Sequence, residues 1–286
     1  MIYLGVLSAM FHETLYPEWA QNFEMEKVIV EEKTEQQDLV IFENKRFGRV
    51  LALDGAIQLT EADEPIYHEM IAHVPLLTHP NPRSVLIVGG GDGGTLREVL
   101  RHPTIEKVVL VEIDASVIDT SKRYFPKLSN GAFDDPRVEV RIEDGAKYVA
   151  ATDERFDVII SDSSDRMGPA EALFTTEYYG NCKSKLKEGG IFVNHYGVPF
   201  TQKGEVKLGL NNLSPHFQEV GFFVATIPTY VGGVMAFGFA SDVNYQISEE
   251  ILQERLSYLQ SDFFYYTPKV HKAAFALPNY ILKQLH

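Results

Sequence analysis

Residues 27–60 alternate apolar and polar positions, as in the stretches "KVIVEEKTE" and "RVLALDGAIQLTE". This two-residue period is typical of β-strands with one buried face. Because the turn signals Asn44-Lys45 and Asp54-Gly55 separate the runs, we predict antiparallel hairpins. The next stretch, 61–79, has acidic residues in its first turn and apolar positions at helical spacing, which predicts a helix.

After the breaker Pro80-Asn81-Pro82, the pattern changes to strands that alternate with helices. The strand segments are continuous runs of Val, Ile and Leu, which indicates a parallel sheet covered on both faces. The link between the last two strands, 231–233, is too short for a crossover helix and predicts an antiparallel last strand. The predicted strands are 84–90, 107–114, 137–144, 156–162, 189–196, 222–230 and 234–241, and the predicted helices are 95–103, 116–125 and 171–189.

These patterns predict an α/β fold, in which a Rossmann-like, doubly wound sheet (63–286) follows a small β-rich N-terminal domain (1–62). The opening "MIYLGVLSAM" lacks the basic start of a secretory signal, and no apolar run approaches the roughly 20 residues of a membrane span. We therefore expect a cytoplasmic protein, with residues 1–9 as an extension before a start at Met10.

The chain carries 26 Lys and Arg against 40 Asp and Glu, a net charge of −14. This charge disfavours nucleic acid and anionic membranes as partners. It suits a cationic small molecule, although acidic proteins also carry such a charge for solubility. The single cysteine, Cys182, excludes an intrachain disulfide and a cysteine-rich metal site, and we expect it to be a core residue of a helix.

The glycine-rich stretch "GGGDGG", residues 89–94, lies between a predicted strand and a predicted helix. Dinucleotide enzymes and adenosylmethionine enzymes share this pattern, and Glu112 ends the next strand at the spacing where an acid holds ribose hydroxyls. The two features predict nucleoside binding. Asp92 inside the loop disfavours a phosphate or carboxylate there and favours a ligand that carries an ammonium group.

Acidic residues end four consecutive strands of the predicted sheet. Because the carboxyl ends of parallel strands meet at one edge, we expect these side chains to share a crevice. Asp144 is followed by Gly145 in a turn, and Asp165 follows Asp162 by three positions. The four strand-end acids are Asp92, Glu112, Asp144 and Asp162.

These acids belong to a set of strings that together resemble one family, the polyamine aminopropyltransferases, and most closely its bacterial spermidine synthases. The strings extend over nearly the whole chain, and their combination is specific although "GGGDGG" alone is not. They are "FHET", "QQDLVIFE", "GRVLALDGAIQLTEADEPIYHEM", "VLIVGGGDGGTLREV", "VEID", "DDPR", "FDVIISDSSD", "GPAEALF", "TIPTY" and "HKAAFALP".

The resemblance implies a methyltransferase-type Rossmann fold and a transferase activity. Members of the family move the aminopropyl group of decarboxylated S-adenosylmethionine to putrescine, which gives spermidine and methylthioadenosine. The nucleoside is a co-substrate, so the resemblance implies no cofactor and no metal. It also implies a homodimer or a homotetramer.

The resemblance also assigns site residues at matching positions of this sequence. Asp162 resembles the proton acceptor, and Asp92 resembles the acid that meets the aminopropyl ammonium of the donor. The nucleoside contacts would be Gln37, Glu112, Asp144 and Gly145, with Pro169 on the thioether side. The contacts to the amine acceptor would be Tyr67, His68, Asp165 and Tyr230, which offer hydrogen-bond acceptors and ring faces.

Elementary chemistry agrees with this assignment. The sulfonium of the donor is already a leaving group, so no metal is needed to activate it. An amine with a pKa near ~10.4 is protonated at neutral pH, and making it nucleophilic costs roughly 4.6 kcal/mol. A carboxylate at Asp162 can accept the proton as the attack proceeds.

Four positions depart from the family pattern or match it without an evident role. Arg166 stands where relatives commonly carry proline, and we expect it to turn outward, toward Glu171. His195 and Tyr196 also depart from the pattern, and we assign them no role. His271 matches a family string but is expected to pack in the core.

Three other functions are compatible with parts of the sequence. An S-adenosylmethionine methyltransferase uses the same fold, but Asp92 would repel the carboxylate of its donor. A nicotinamide-dependent dehydrogenase fits the glycine loop and leaves Asp162 and Asp165 unexplained. A non-catalytic polyamine sensor would keep the acidic crevice without turnover.

Overall fold

A computed structural model describes residues 9–34, 36–259 and 262–286 of the chain. Its N-terminal part is antiparallel and consists of β1 (Ala9–His12), β2 (Asn22–Met25), β3 (Lys27–Lys33), β4 (Asp38–Asn44), β5 (Gly48–Leu53) and β6 (Ala56–Thr60). The first two strands pair with each other, and the other four form a sheet in chain order. Asp54 and Gly55 at the β5–β6 turn adopt positive φ angles of 49° and 77°, as a type I′ hairpin turn requires. The predicted hairpins are confirmed.

The second sheet has seven strands, which are β7 (Ser84–Gly89), β8 (Lys107–Glu112), β9 (Val138–Ile142), β10 (Phe156–Asp162), β11 (Leu186–His195), β12 (Glu219–Thr226) and β13 (Val234–Ser241). Their order is β12-β13-β11-β10-β7-β8-β9. Strands β7 to β11 pair in parallel, whereas β13 pairs antiparallel with both β11 and β12. The Rossmann-like sheet with an antiparallel last strand is therefore confirmed.

Helices cover both faces of this sheet. They are α1 (Glu64–Thr78), α2 (Gly94–Leu100), α3 (Ala115–Tyr124), α4 (Pro126–Ser129), α5 (Gly145–Ala151), α6 (Thr176–Lys185), α7 (Glu205–Leu213), α8 (Glu249–Ser257), α9 (Pro268–Ala274) and α10 (Asn279–Leu285), with 3₁₀ turns at Ala132–Asp134 and Gly168–Phe174. Val85 and Ile87 of β7 belong to a core shared with α1 and α2, and Leu86 and Val88 belong to a core shared with α5 and α6. The alternation explains why β7 is apolar throughout.

The single helix predicted for 171–189 is wrong. The chain first forms the 3₁₀ turn, α6 then begins after Thr175, and the helix ends at Lys185. Leu186 already pairs with Phe156 of β10, and Gly189, with a φ of 71°, lies in an irregularity before the register resumes at Ile191. Pairing with β10 outweighs the helical preference of these residues.

The remaining expectations from the sequence concern the domain boundary, the N-terminal extension, a membrane span and Cys182. The domain boundary at residue 62 stays a prediction; β6 ends at Thr60 and α1 begins at Glu64. Apart from Ala9, the expected N-terminal extension lies outside the described residues. Across the described ranges, no helix combines the length and apolar character that a bilayer crossing requires. Cys182 is fully buried in α6, as expected.

Candidate active site

A cavity opens at the carboxyl ends of β7, β8 and β10, and the N-terminal sheet contributes its opposite wall. All the site residues proposed from the sequence line it: Gln37, Tyr67, His68, Asp92, Glu112, Asp144, Gly145, Asp162, Asp165, Pro169 and Tyr230. Within the described ranges, no Lys or Arg lines this cavity. The crevice is therefore strongly acidic.

The glycine loop brings the ends of β7 and β10 together. Gly89 has a φ of 84°, and a Cβ at this position would lie 2.1 Å from the carbonyl oxygen of Asp162. The next residue, Gly90, donates its N–H to the same carbonyl at 2.7 Å. A side chain at Gly89 would separate the two strand ends and displace Asp162 from the cavity.

Glu112 lines the cavity at the end of β8. Its carboxylate accepts hydrogen bonds from the N–H groups of Gly91 at 3.1 Å and Asp114 at 3.0 Å. Burial raises the pKa of Glu112 to about 7, although these hydrogen bonds oppose the shift. The carboxylate is close to the glycine loop, where a ribose diol can supply two further donors.

Gln37 brings the N-terminal sheet to the same end of the cavity. Its side-chain amide donates to Asp114 Oδ2 at 3.2 Å, and Thr34 Oγ1 donates to the same oxygen at 2.7 Å. The loop between β3 and β4 is thereby attached to Asp114, just beyond the end of β8. Both sheets must therefore be folded for this part of the cavity to form.

Asp144 and Gly145 begin α5. Asp144 caps the helix by accepting from the N–H of Ala146 at 3.0 Å and of Lys147 at 3.2 Å. Although partial burial opposes it, these bonds and the Lys147 ammonium hold the pKa of Asp144 below its usual value. A Cβ at Gly145 would lie 2.3 Å from Val88 Cγ1, so the backbone approaches β7 closely. Pro169 lies on the exposed rim, in the 3₁₀ turn.

Asp162 lies at the buried end of the cavity and is 8% exposed. Its two oxygens accept from Tyr67 Oη and Thr95 Oγ1, each at 2.7 Å. Burial and the negative charge of Asp92 raise the pKa of Asp162. Burial and the charge of Asp162 also raise the pKa of Tyr67, which stays a phenol and donates.

His68 belongs to a chain of buried charges that ends at Asp92. Its Nδ1 lies 2.6 Å from Glu64 Oε2, and its Nε2 lies 3.3 Å from Asp92 Oδ1. Arg97 binds both oxygens of Glu64, at 2.9 and 3.0 Å. Burial lowers the pKa of His68, but Asp92 and Glu64 together raise it to about 10. Both ring nitrogens of His68 then donate. His68 therefore offers no hydrogen-bond acceptor, contrary to the expectation from the sequence.

Tyr230 and Asp165 also line the cavity. The hydroxyl of Tyr230 donates to the carbonyl oxygen of Gln58 at 2.7 Å, and its ring meets that of Tyr67 edge-on at 6.4 Å. Asp165 Oδ1 accepts from Gln202 Nε2 at 3.1 Å. The rings and the carboxylate together form a compartment suited to an alkyl chain with a cationic end.

Glu13, within the string "FHET", has no role predicted from the sequence. Its side chain lines the cavity and is almost fully buried; Oε1 accepts from the N–H of Ile57 at 3.0 Å. Its Oε2 is buried without a hydrogen-bond partner, and burial raises the pKa of Glu13. No local pattern marks this residue, because β1 and β2 bring it to the cavity only in the folded chain.

Arg166 was expected to turn toward Glu171, but its partner is a different carboxylate. Its guanidinium binds both oxygens of Glu205 at the start of α7, at 2.8 and 3.0 Å. No sequence pattern predicted α7, and Glu205 was therefore not expected as the partner of Arg166.

The two unassigned residues at the end of β11 and the unused His271 have contacts within the protein. His195 Nε2 donates to the carbonyl oxygen of Ser163 at 2.8 Å, and Tyr196 donates to the hydroxyl of Tyr179 at 3.0 Å. His271 contacts Tyr266 Oη at 2.7 Å, and burial lowers its pKa to about 3. The expected packing role of His271 is confirmed.

Comparison with known proteins identifies the family. A family model described as the spermine/spermidine synthase domain matches residues 64–250, and one described as the spermidine synthase tetramerisation domain matches residues 10–61. The chain belongs to the spermine/spermidine synthase family. Polyamine aminopropyltransferases from Klebsiella pneumoniae (strain 342) and Salmonella agona (strain SL483) are 50% and 49% identical to the enzyme. The alignments cover 95% and 96% of this chain and 96% of each relative.

Solved structures agree with this assignment. A crystal structure of spermidine synthase in complex with the transition-state analogue AdoDATO matches with a TM-score of 0.92 at 41% identity. Spermidine synthase from Thermotoga maritima matches with a TM-score of 0.88 at 40% identity. Each match covers 97% of this chain and 94% of the other. The enzyme is therefore a transferase of the aminopropyltransferase class with a methyltransferase-like fold.

Proposed function

We propose that the enzyme is a spermidine synthase, which transfers the aminopropyl group of decarboxylated S-adenosylmethionine to putrescine. The observation that carries this proposal is the charge of the cavity. Asp92, Asp162 and Asp165 line one hollow that, within the described residues, has no Lys or Arg in its wall. Both reactants are cations, and such a wall attracts them and holds their ammonium groups.

The donor binds across the carboxyl ends of β7 to β9. Glu112 accepts hydrogen bonds from the ribose, Gln37, Asp144 and Gly145 hold the rest of the nucleoside, and Pro169 covers the thioether side. Asp92 receives the aminopropyl ammonium, because its Oδ1 is bonded to the N–H of Gly94 at 2.6 Å while its other oxygen has no protein donor among the described contacts. A donor with a carboxylate at this place would be repelled.

The acceptor lies between Asp162 and Asp165, against the rings of Tyr67 and Tyr230. One amine of putrescine donates to Asp162, and the other ammonium meets Asp165 and the free oxygen of Glu13. Because Glu13 Oε2 is buried and unpartnered, a cation that reaches it restores a hydrogen bond otherwise missing. His68 acts on this site through Asp92, since neither of its nitrogens has a lone pair for the acceptor.

The transfer is a single displacement at carbon. The neutral amine nitrogen attacks the CH₂ group bonded to the sulfonium; the N–C bond forms as the C–S bond breaks. The electron pair of the broken bond stays on sulfur, so methylthioadenosine leaves as a neutral thioether. The proton lost by the amine passes to Asp162, whose raised pKa makes it a better base than an exposed aspartate. The sulfonium supplies the activation, and we propose that neither metal nor cofactor takes part.

We also propose that the enzyme works in the cytoplasm as a homodimer or homotetramer. The match of residues 10–61 to a domain described by its tetramerisation supports an oligomer. The net charge of −14 supports small cations as partners rather than nucleic acid or anionic membranes.

Mass spectrometry of the products tests the proposal. The enzyme is incubated with decarboxylated S-adenosylmethionine and diamines of different lengths, and we expect spermidine and methylthioadenosine with putrescine as the preferred acceptor. Asp162→Asn should lower kcat by on the order of 10²–10⁴ and change the affinity for methylthioadenosine by less than about twofold.

Three results would contradict the proposal. They are a methylated product from intact S-adenosylmethionine at a comparable rate, a diamine of another length preferred over putrescine, and full activity in the Asp162→Asn variant.

A further inference from the structure

A second cavity adjoins the active site beyond Asp165. It has a volume of about 280 Å³. Tyr16, Asp165, His195 and Gln202 line both cavities, so the second one continues the acceptor compartment away from Asp162. An acceptor longer than a diamine would extend into it.

The charge of this second cavity differs from that of the first. Among the described residues, Arg166 is the one Lys or Arg that lines either cavity. Apart from Asp165, the acid in its wall is Glu205, and Arg166 already binds both oxygens of that carboxylate. The side chains of Arg166 and Glu205 are 40% and 18% exposed, so the guanidinium is held at the boundary between cavity and solvent.

A triamine such as spermidine carries one aminopropyl arm more than putrescine. With its reacting amine at Asp162 and its middle nitrogen near Asp165, its third ammonium reaches the second cavity. It loses water there without meeting a free carboxylate, and it faces the positive charge of Arg166. We propose that Arg166, fixed by Glu205, excludes this third ammonium and restricts the enzyme to diamine acceptors; this rests on the proposed function.

The test separates charge from length. Spermidine is compared with N-butylputrescine, in which a methyl group replaces the third ammonium at similar length and shape. We expect the wild-type enzyme to use N-butylputrescine with a kcat/KM at least about tenfold above that for spermidine. Because the readout is a ratio of two acceptors, a general loss of activity in a variant cancels.

Two variants break the same ion pair with opposite effects on charge. Arg166→Met keeps a long side chain and frees Glu205, and it should bring the ratio close to one. Glu205→Gln leaves Arg166 uncompensated and should widen the ratio beyond that of the wild type. If the pair only supports the loop, both variants shift the ratio in the same direction.

A shift of both variants in the same direction would overturn the inference. An unchanged ratio in Arg166→Met, or equal use of the two acceptors by the wild type, would also overturn it. Failure of the proposed function is distinct, because putrescine itself would then give no aminopropylated product with any of the three proteins.

Discussion

Asp92 and Asp162 line the same cavity but have different surroundings. Although burial opposes it, the imidazolium of His68 and the N–H of Gly94 hold the pKa of Asp92 below its usual value. Burial and the charge of Asp92 raise the pKa of Asp162. Two carboxyl groups whose pKa values are moved apart can divide binding and proton transfer between them. Asp92 is suited to hold an ammonium group that stays protonated, and Asp162 is suited to accept a proton.

The charge of His68 should make the stability of the enzyme depend on pH. Its pKa is about 10 in the folded chain, above the value of about 6.5 in an unfolded one. The stabilisation is therefore complete below pH ~6.5 and is lost as the pH rises toward about 10. Urea denaturation across this range should show a falling free energy of unfolding for the wild type and a flatter profile for His68→Gln.

The control for this experiment is His216→Gln, which removes a histidine outside the Arg97–Glu64–His68–Asp92 chain. It should keep the slope of the wild type. A His68→Gln profile as steep as that of the wild type would assign the pH dependence to other groups.

Sequence patterns predicted those elements whose signal is local. The buried strands β7, β8 and β10 are unbroken runs of Val, Ile and Leu between turn residues, and they lie where the pattern placed them. The single helix predicted for 171–189 was wrong because the structure of this segment depends on distant partners. Leu186 leaves α6 to pair with Phe156, and no local pattern contains that contact.

Thr175 defines the junction that the sequence did not reveal. Its hydroxyl donates to the carbonyl oxygen of Ala172 at 3.0 Å and accepts from the N–H of Tyr178 at 3.2 Å, so it ends the 3₁₀ turn and begins α6. Thr175→Ala should lower the free energy of unfolding by about 1 kcal/mol, measured by urea denaturation. Thr175→Ser keeps the hydroxyl and should remain within a few tenths of the wild type; equal losses in both variants would show that the cap is not the cause.

The whole site could be predicted only in part, because it is assembled from both sheets. The acids at the ends of β7 to β10 follow from the rule that parallel strands end at one edge, and all of them line the cavity. Glu13 and Gln58 reach it from the N-terminal strands, and Arg166 meets Glu205 across 39 positions of the chain. These contacts depend on how distant segments pack, which periodicity does not encode.

The net negative charge of the molecule should affect the binding of putrescine and of methylthioadenosine differently. The chain carries a net charge of −14, and the cavity wall has the same sign, so a dication is attracted from beyond contact distance. Salt screens this attraction, with a Debye length that falls from about 10 Å at 0.1 M to about 3 Å at 1 M.

We expect kcat/KM for putrescine to fall steadily as NaCl is raised over this range at saturating donor, whereas the Kd of neutral methylthioadenosine, measured by calorimetry, changes little. n-Pentylamine, in which a methyl group replaces the second ammonium of putrescine, has the length of putrescine and one charge fewer, and as an acceptor it should show a weaker salt dependence. Equal slopes for the monoamine and the diamine would mean that the field of the cavity does not guide the acceptor, and that contact with Asp162 alone accounts for its binding.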